Sequence, residues 1–179
     1  MLTEKERESA IKRLTRSRQT LLEAVEGVTE TQARWKPAPD RWSILEYVEH
    51  LAVSDDALVE MIRRSLATSA RPETEEQRQE REQRIRETPM PRGVNRAPEA
   101  LIPSGRFQSL ADALAAFLTA RKRTLEFALS TQEDLRSHFS PHTVLGPLDG
   151  YQWLNGNAHH AESHAVHIRE LREMPEFPK

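Results

Sequence analysis

Residues 149–173 read DGYQWLNGNAHHAESHAVHIRELRE. Asp149 offers an N-cap acceptor and Pro175 a stop, so the run is expected to be one long helix. At ~100° and ~1.5 Å per residue, Trp153, Asn157, His160, His164 and Leu171 share one stripe. His160 and His164 are four apart, which sets them ~40° apart around the axis and ~6 Å apart along it. That is close enough for two imidazoles to converge on one ion, as the paired histidines of helical zinc sites do. His167 follows on nearly the same face, and His159 points one step away. The stripe faces a core, and two buried imidazoles facing a core need partners on another helix.

Three more long helices can be read upstream. Residues 3–26 carry Thr3 and Glu6 at capping-box spacing, then Ile11, Leu14, Leu21, Leu22 and Val25 on one face, with Gly27 as the stop. Residues 43–68 start at Ser43 with Glu46 three positions on, and bring Ile44, Val48, Leu51, Leu58, Met61, Ile62 and Leu66 to one side. Residues 109–130 start at Ser109, and Leu114, Phe117, Leu118, Leu125 and Leu129 are expected to be its buried stripe. Between the first two helices Pro37 and Pro39 forbid regular helix, and Trp35 and Trp42 can pin the connection to the core. No convincing strand is visible. An all-α fold is expected, a four-helix bundle with a long crossover between its second and third helices, forming one domain over 1–179.

The crossover occupies 73–106. Its first part, within RPETEEQRQEREQRIRETP (71–89), is almost entirely charged and suits a solvent-exposed helix over 73–87 that is mobile or projects from the body. The rest, PMPRGVNRAPEALIPSGRF (89–107), reads as an extended, proline-punctuated connection.

Composition narrows the chemistry. With 26 Lys+Arg against 28 Asp+Glu, the formal charge is −2, without the basic excess that nucleic-acid binding needs. The chain has no Cys, which removes disulfides, thiolate nucleophiles, Fe–S clusters and zinc ribbons. No run approaches the ~20 apolar residues of a membrane helix, and MLTEKERESAIKR lacks the apolar core of a signal peptide, so the expected location is the cytoplasm.

A metal must therefore sit on His, Asp, Glu or water. His50 is the sole histidine of the first three long helices, one step round from Leu51. His50, His160 and His164 make a three-imidazole set that suits Zn, Ni, Fe or Mn, with the remaining positions left for water or substrate. Asn157 lies one turn before His160 and Glu46 one turn before His50; either could orient a ring or a bound water. Glu46 has two readings, a general base raised by burial or the capping-box partner of Ser43, and spacing favours the cap. Ser43 reads as a cap rather than a nucleophile. His138 and His142 fall in the loop before the last helix and read as solvated. Arg121–Arg123 read as helix surface. Arg106 and Arg169 could meet an anionic thiol, although nothing selects them.

Three segments together resemble the DinB-like superfamily: KPAPDRWSILEYVEHL (36–51), APEALIPSGRFQSLADALAAF (97–117) and LGPLDGYQWLNGNAHHAESHAVHIREL (145–171). They match a proline loop leading through Trp-Ser to His-Leu, a crossover into the third helix, and a Gly-Pro-Leu loop leading to Trp and His-x-x-x-His. The resemblance implies a four-helix bundle of unusual connectivity, commonly a homodimer, with the metal triad on His50, His160 and His164. It further implies a small-molecule substrate and chemistry in which the divalent metal activates a low-molecular-weight thiol, as in S-transferases. Metal-assisted hydrolysis is the second expectation, and a non-catalytic, stress-related metal-binding module the third. Many members carry Gln where this chain has His167. That residue could be a hydrogen-bond partner behind the ligand rings, a fourth ligand or a polar substitute, with the first favoured.

Overall fold

The computed structural model describes residues 1–88 and 97–179. The expected extended conformation over 89–96 lies outside the described residues. The elements run α1 (Glu4–Val25), α2 (Glu30–Arg34), α3 (Ile44–Leu66), α4 (Glu75–Glu87), a 3₁₀ turn (Glu99–Leu101), α5 (Leu110–Ser130), β1 (Phe139–His142), β2 (Gly146–Asp149) and α6 (Gly150–Arg172). Helix starts are set by short-range chemistry. Thr3 with Glu6, Thr29 with Gln32, Ser43 with Glu46, Thr74 with Gln77 and Asp149 with Gln152 are all reciprocal capping boxes. Each satisfies two backbone N–H groups that a bare helix end leaves open. Gly27, just past α1, has φ +71°, which only a residue without Cβ adopts freely.

The four long helices form a bundle. The packing of α1 is against α6 and α5, and that of α3 against α5 and α6. The first two long helices thus occupy opposite corners. Two apolar cores are stacked along the bundle. One holds Leu21, Ala24, Trp42, Val48, Leu51, Phe117, Ala161, Ala165 and Ile168. The other holds Ala10, Leu14, Leu58, Ile62, Phe127, Leu135, Leu154 and Ala158. A polar layer lies between them, where each long helix places buried polar side chains between its two apolar stretches: Ser17 on α1, Asp55 on α3, Arg121 and Thr124 on α5, Asn157 on α6.

Four expectations need correction. Arg121 is not surface: its relative exposure is 0%, and its guanidinium binds Asp55, Ser17, Asn157 and the Leu14 carbonyl. The stripe of α5 is rotated accordingly. Leu129 is 63% exposed and Leu118 is also exposed, while Ala113, Phe117, Ala120, Thr124 and Ala128 face inward. Small residues let neighbouring helices approach closely, so they win the inner face from the leucines. The charged helix does not project free. Arg81 is 8% exposed, pairs with Glu73 and Asp149, bonds Gln152, and lies over the Phe139 ring. Finally, residues 139–149 form an antiparallel hairpin in which Pro141 pairs with Pro147. Each strand is paired on one side only, and such edge strands are where a sheet accepts proline.

No described helix is long and apolar enough to cross a membrane.

Candidate metal centre

The interface of α3 and α6 brings three histidines together. His50 is buried at 4% exposure; His160 and His164 are half-buried. The Nε2 atoms of His50 and His160 are 3.0 Å apart, and those of His160 and His164 2.9 Å. One ligand nitrogen from each ring lies within 4.8 Å of the others. His50 Nδ1 stands 2.7 Å from the Leu101 carbonyl oxygen. A carbonyl only accepts, so Nδ1 carries the proton and Nε2 presents its lone pair to the cluster. His167 Nδ1 approaches His164 Nδ1 at 3.4 Å, behind the ring rather than in the cluster.

This donor set fits a cation. An imidazole nitrogen carries either one proton or one lone pair, so His160 Nε2 can satisfy only one of its two close contacts. A positive ion between the rings satisfies all three lone pairs at once. Nitrogens about 2.1 Å from one ion, at angles of about 90–109°, stand about 3.0–3.4 Å apart, close to the spacing found here. Protonation works the same way. Burial lowers the His50 pKa, against the pull of the Leu101 hydrogen bond. Burial, with the neighbouring His50 and Arg121, takes His160 down to about 3. Burial and His160 hold His164 well below the ordinary value. Neutral rings are what a metal requires.

Aromatic rings wall one side. Trp42 stands 4.9 Å from His50, and Tyr47 5.1 Å from His164 and 5.7 Å from His167, centroid to centroid. Ser43 caps α3, and this fixes where Tyr47 and His50 begin their climb.

The structure separates the other candidates from the cluster. Glu46 accepts from the Ser43 amide at 2.7 Å and pairs with Lys36 at 2.9 Å, so its carboxylate belongs to the helix start. Asn157 Oδ1 accepts from Arg121 in the polar layer. Neither is hydrogen-bonded to a ligand ring. His142 ends β1, and its Nδ1 accepts the Val144 and Leu145 amides, capping the hairpin turn. His159 is exposed. Arg106 braces the crossover through Ser104 Oγ and the Ala100 carbonyl. Sequence reasoning did not find the Leu101 carbonyl or Glu49, which is 1% exposed beside His50. The first acts through its backbone and leaves no mark in residue type. The second sits next to a candidate ligand, and an acid on an apolar face was the signal available.

The DinB superfamily sequence pattern matches residues 13–168. YuaE of Bacillus subtilis (strain 168), an uncharacterised protein, is 24% identical over 152 residues, covering 85% of this chain and 90% of YuaE. Two solved structures share the fold. The four-helix bundle protein TT2238 superposes with a TM-score of 0.60 at 21% identity, over 92% of this chain and 98% of that one. YfiT from Bacillus subtilis, described as a probable metal-dependent hydrolase with an unusual four-helix bundle topology, gives 0.59 at 20% identity, over 96% and 88%. The matched span reaches from α1 to α6 and contains all three clustered histidines, and the chain belongs to the DinB superfamily.

Proposed function

We propose that His50, His160 and His164 hold a divalent metal and that the protein is a metal-dependent enzyme transferring a low-molecular-weight thiol to a small electrophilic substrate. The observation that carries this reading is the convergence of three imidazole nitrogens, His160 Nε2 standing 3.0 Å from that of His50 and 2.9 Å from that of His164, with one ligand nitrogen from each ring within 4.8 Å of the others. A bound ion would supply Lewis acidity, lowering the pKa of a thiol or water beside it. The chain's own residues do the rest. Leu101 fixes the His50 ring, His167 backs His164, and Trp42 and Tyr47 exclude water from one side. With no Cys in the chain, the thiol must come from outside. No carboxylate joins the cluster among the described residues, so a thiol held there would lose its proton to solvent, at the pKa that a bound ion would lower. A thiol, at pKa about 8.5, needs far less lowering than water, at about 15.7, and this favours thiol transfer. Hydrolysis is the second reading, supported by the likeness to YfiT, a probable metal-dependent hydrolase. A homodimer is proposed from the family resemblance alone.

The test is metal content in untagged protein, with thiol-transfer and ester-hydrolysis assays on the same preparation. About one equivalent of divalent metal is expected, falling at least tenfold in each of His50→Ala, His160→Ala and His164→Ala. Wild-type protein that stays metal-free after reconstitution would sink the reading.

A further inference from the structure

Glu49 is a buried carboxylate on the helix that carries His50, and neither the bundle nor the metal chemistry accounts for it. Its neighbours on α3 include Val48, Leu51 and Ala52, all buried in the apolar core. Burying an ionisable group there is costly unless it is bonded, and packing alone favours an apolar residue. Its hydrogen bond leads to the crossover: the Ser104 amide donates to Glu49 Oε1 at 2.7 Å. Three residues earlier, the Leu101 carbonyl accepts from His50 Nδ1, also at 2.7 Å. Consecutive residues of α3 therefore grip the same short strap at two points. The strap is stiff. Pro103 fixes φ between the two grips, and Arg106 ties Ser104 Oγ at 3.2 Å to the Ala100 carbonyl at 3.1 Å.

We propose that Glu49 is a positioning residue for the metal centre: by holding Ser104 it keeps the Leu101 carbonyl on His50 Nδ1 and so fixes which nitrogen of His50 faces the site. Without that anchor the strap hangs on His50 itself, and the ring can carry its proton on either nitrogen. Ligand rings are held by such outer partners, whose loss typically weakens metal binding 10–100-fold. The proposal rests on the metal reading above, and its test separates the two.

Full-length, ¹⁵N-labelled protein is prepared as wild type, Glu49→Gln, Glu49→Ala and Ser104→Pro. Glu49→Gln keeps an oxygen for the Ser104 amide; Ser104→Pro removes the amide and leaves Glu49 in place. The His50 tautomer is read by long-range ¹H–¹⁵N correlation in the metal-free state, and Co²⁺ affinity and visible spectrum by titration. Wild type and Glu49→Gln should hold the Nδ1–H tautomer and bind Co²⁺ within about threefold of each other. Glu49→Ala and Ser104→Pro should show mixed tautomers, an altered Co²⁺ spectrum and affinity lower by about 10–100-fold. If Glu49→Ala does not fold, Ser104→Pro carries the same reading. Wild-type tautomer and affinity in a folded Glu49→Ala or Ser104→Pro would overturn the proposal, as would Glu49→Gln falling as far as Glu49→Ala. If wild type takes up no Co²⁺ yet the tautomer shifts in Glu49→Ala, the strap stands and the metal reading falls.

Discussion

Arg121 carries five N–H donors, and the polar layer meets its nitrogens on every side. Nε and Nη2 reach the Asp55 carboxylate, Nη1 the Leu14 carbonyl and Ser17, Nη2 also Asn157. Thr124 donates a further bond to Asp55. Burial pushes the Asp55 carboxyl up, against the pull of Arg121. Such a pair is costly to bury and far costlier to break. Arg121→Met should therefore lose about 3–5 kcal/mol, read as a lower urea midpoint, because the buried Asp55 loses its counter-charge and keeps only neutral partners such as Thr124. Arg123, two positions on, pairs with Asp56 in the open, both side chains more than half exposed. Arg123→Met should change stability by no more than about 1 kcal/mol. Sequence alone did not separate these two arginines, since charge in a run of three says nothing about which member faces inward.

At the level of elements, α4 is held by ion pairs rather than by an apolar stripe. Arg81 bridges Glu73 and Asp149, Arg136 bridges Glu82 and Asp149, and Arg84 donates to the Leu145 carbonyl. Arg81→Ala should release this helix. Amide hydrogen exchange over residues 75–87 is expected to accelerate at least tenfold, while protection in α1, α3 and α5 stays unchanged. Asp149 keeps Arg136 and its capping role, so α6 should still start in place. Helix positions were legible because caps and i+3 partners are local in sequence. The docking of α4 was not, since Arg81, Glu82 and Arg84, which carry it, look like every other charge in the run. The phase of α5 was not either: it has leucines on two faces, and only the neighbouring helices decide that Ala113, Ala120 and Ala128 go inside. The hairpin was hidden by its own prolines, which mark non-strand wherever a second partner strand exists.

For the whole molecule, the clustered histidines make folding and acid tolerance one question. In the folded, metal-free protein His50, His160 and His164 have lowered pKa values, His160 near 3. In the unfolded chain each titrates near 6.5. Above pH 6.5 neither state holds these protons, and stability is flat in this contribution. For His160, the unfolded chain binds more protons between about 6.5 and 3, so stability falls as pH falls, by up to about 1.4 kcal/mol per pH unit; His50 and His164, lowered too, act in the same direction below 6.5. Urea midpoints of metal-free protein at pH 7.5 and 5 should show this loss, and His160→Ala should make it smaller. The His160–His164 spacing was legible from one helix, and His50 from its place on another. The 2.7 Å grip of a backbone carbonyl on His50 lay beyond any reading of side chains.

The opposite-corner placement of α1 and α3 has a consequence for how the chain assembles. Neither of the first two long helices finds its main partner in the other; both await α5 and α6. Arg172 reaches back to the Ala24 carbonyl across 148 residues, and Arg121 to Leu14 across 107. An up-and-down bundle can zip from neighbour to neighbour, but here long loops must close before the core rewards them. On the ribosome, α1 emerges with its apolar face uncovered and stays largely so until the 23-residue α6 has been made, while α3 waits for α5. A helical protein wired this way should fold at a pace nearer that of a β-sandwich, and lean on chaperones while it waits.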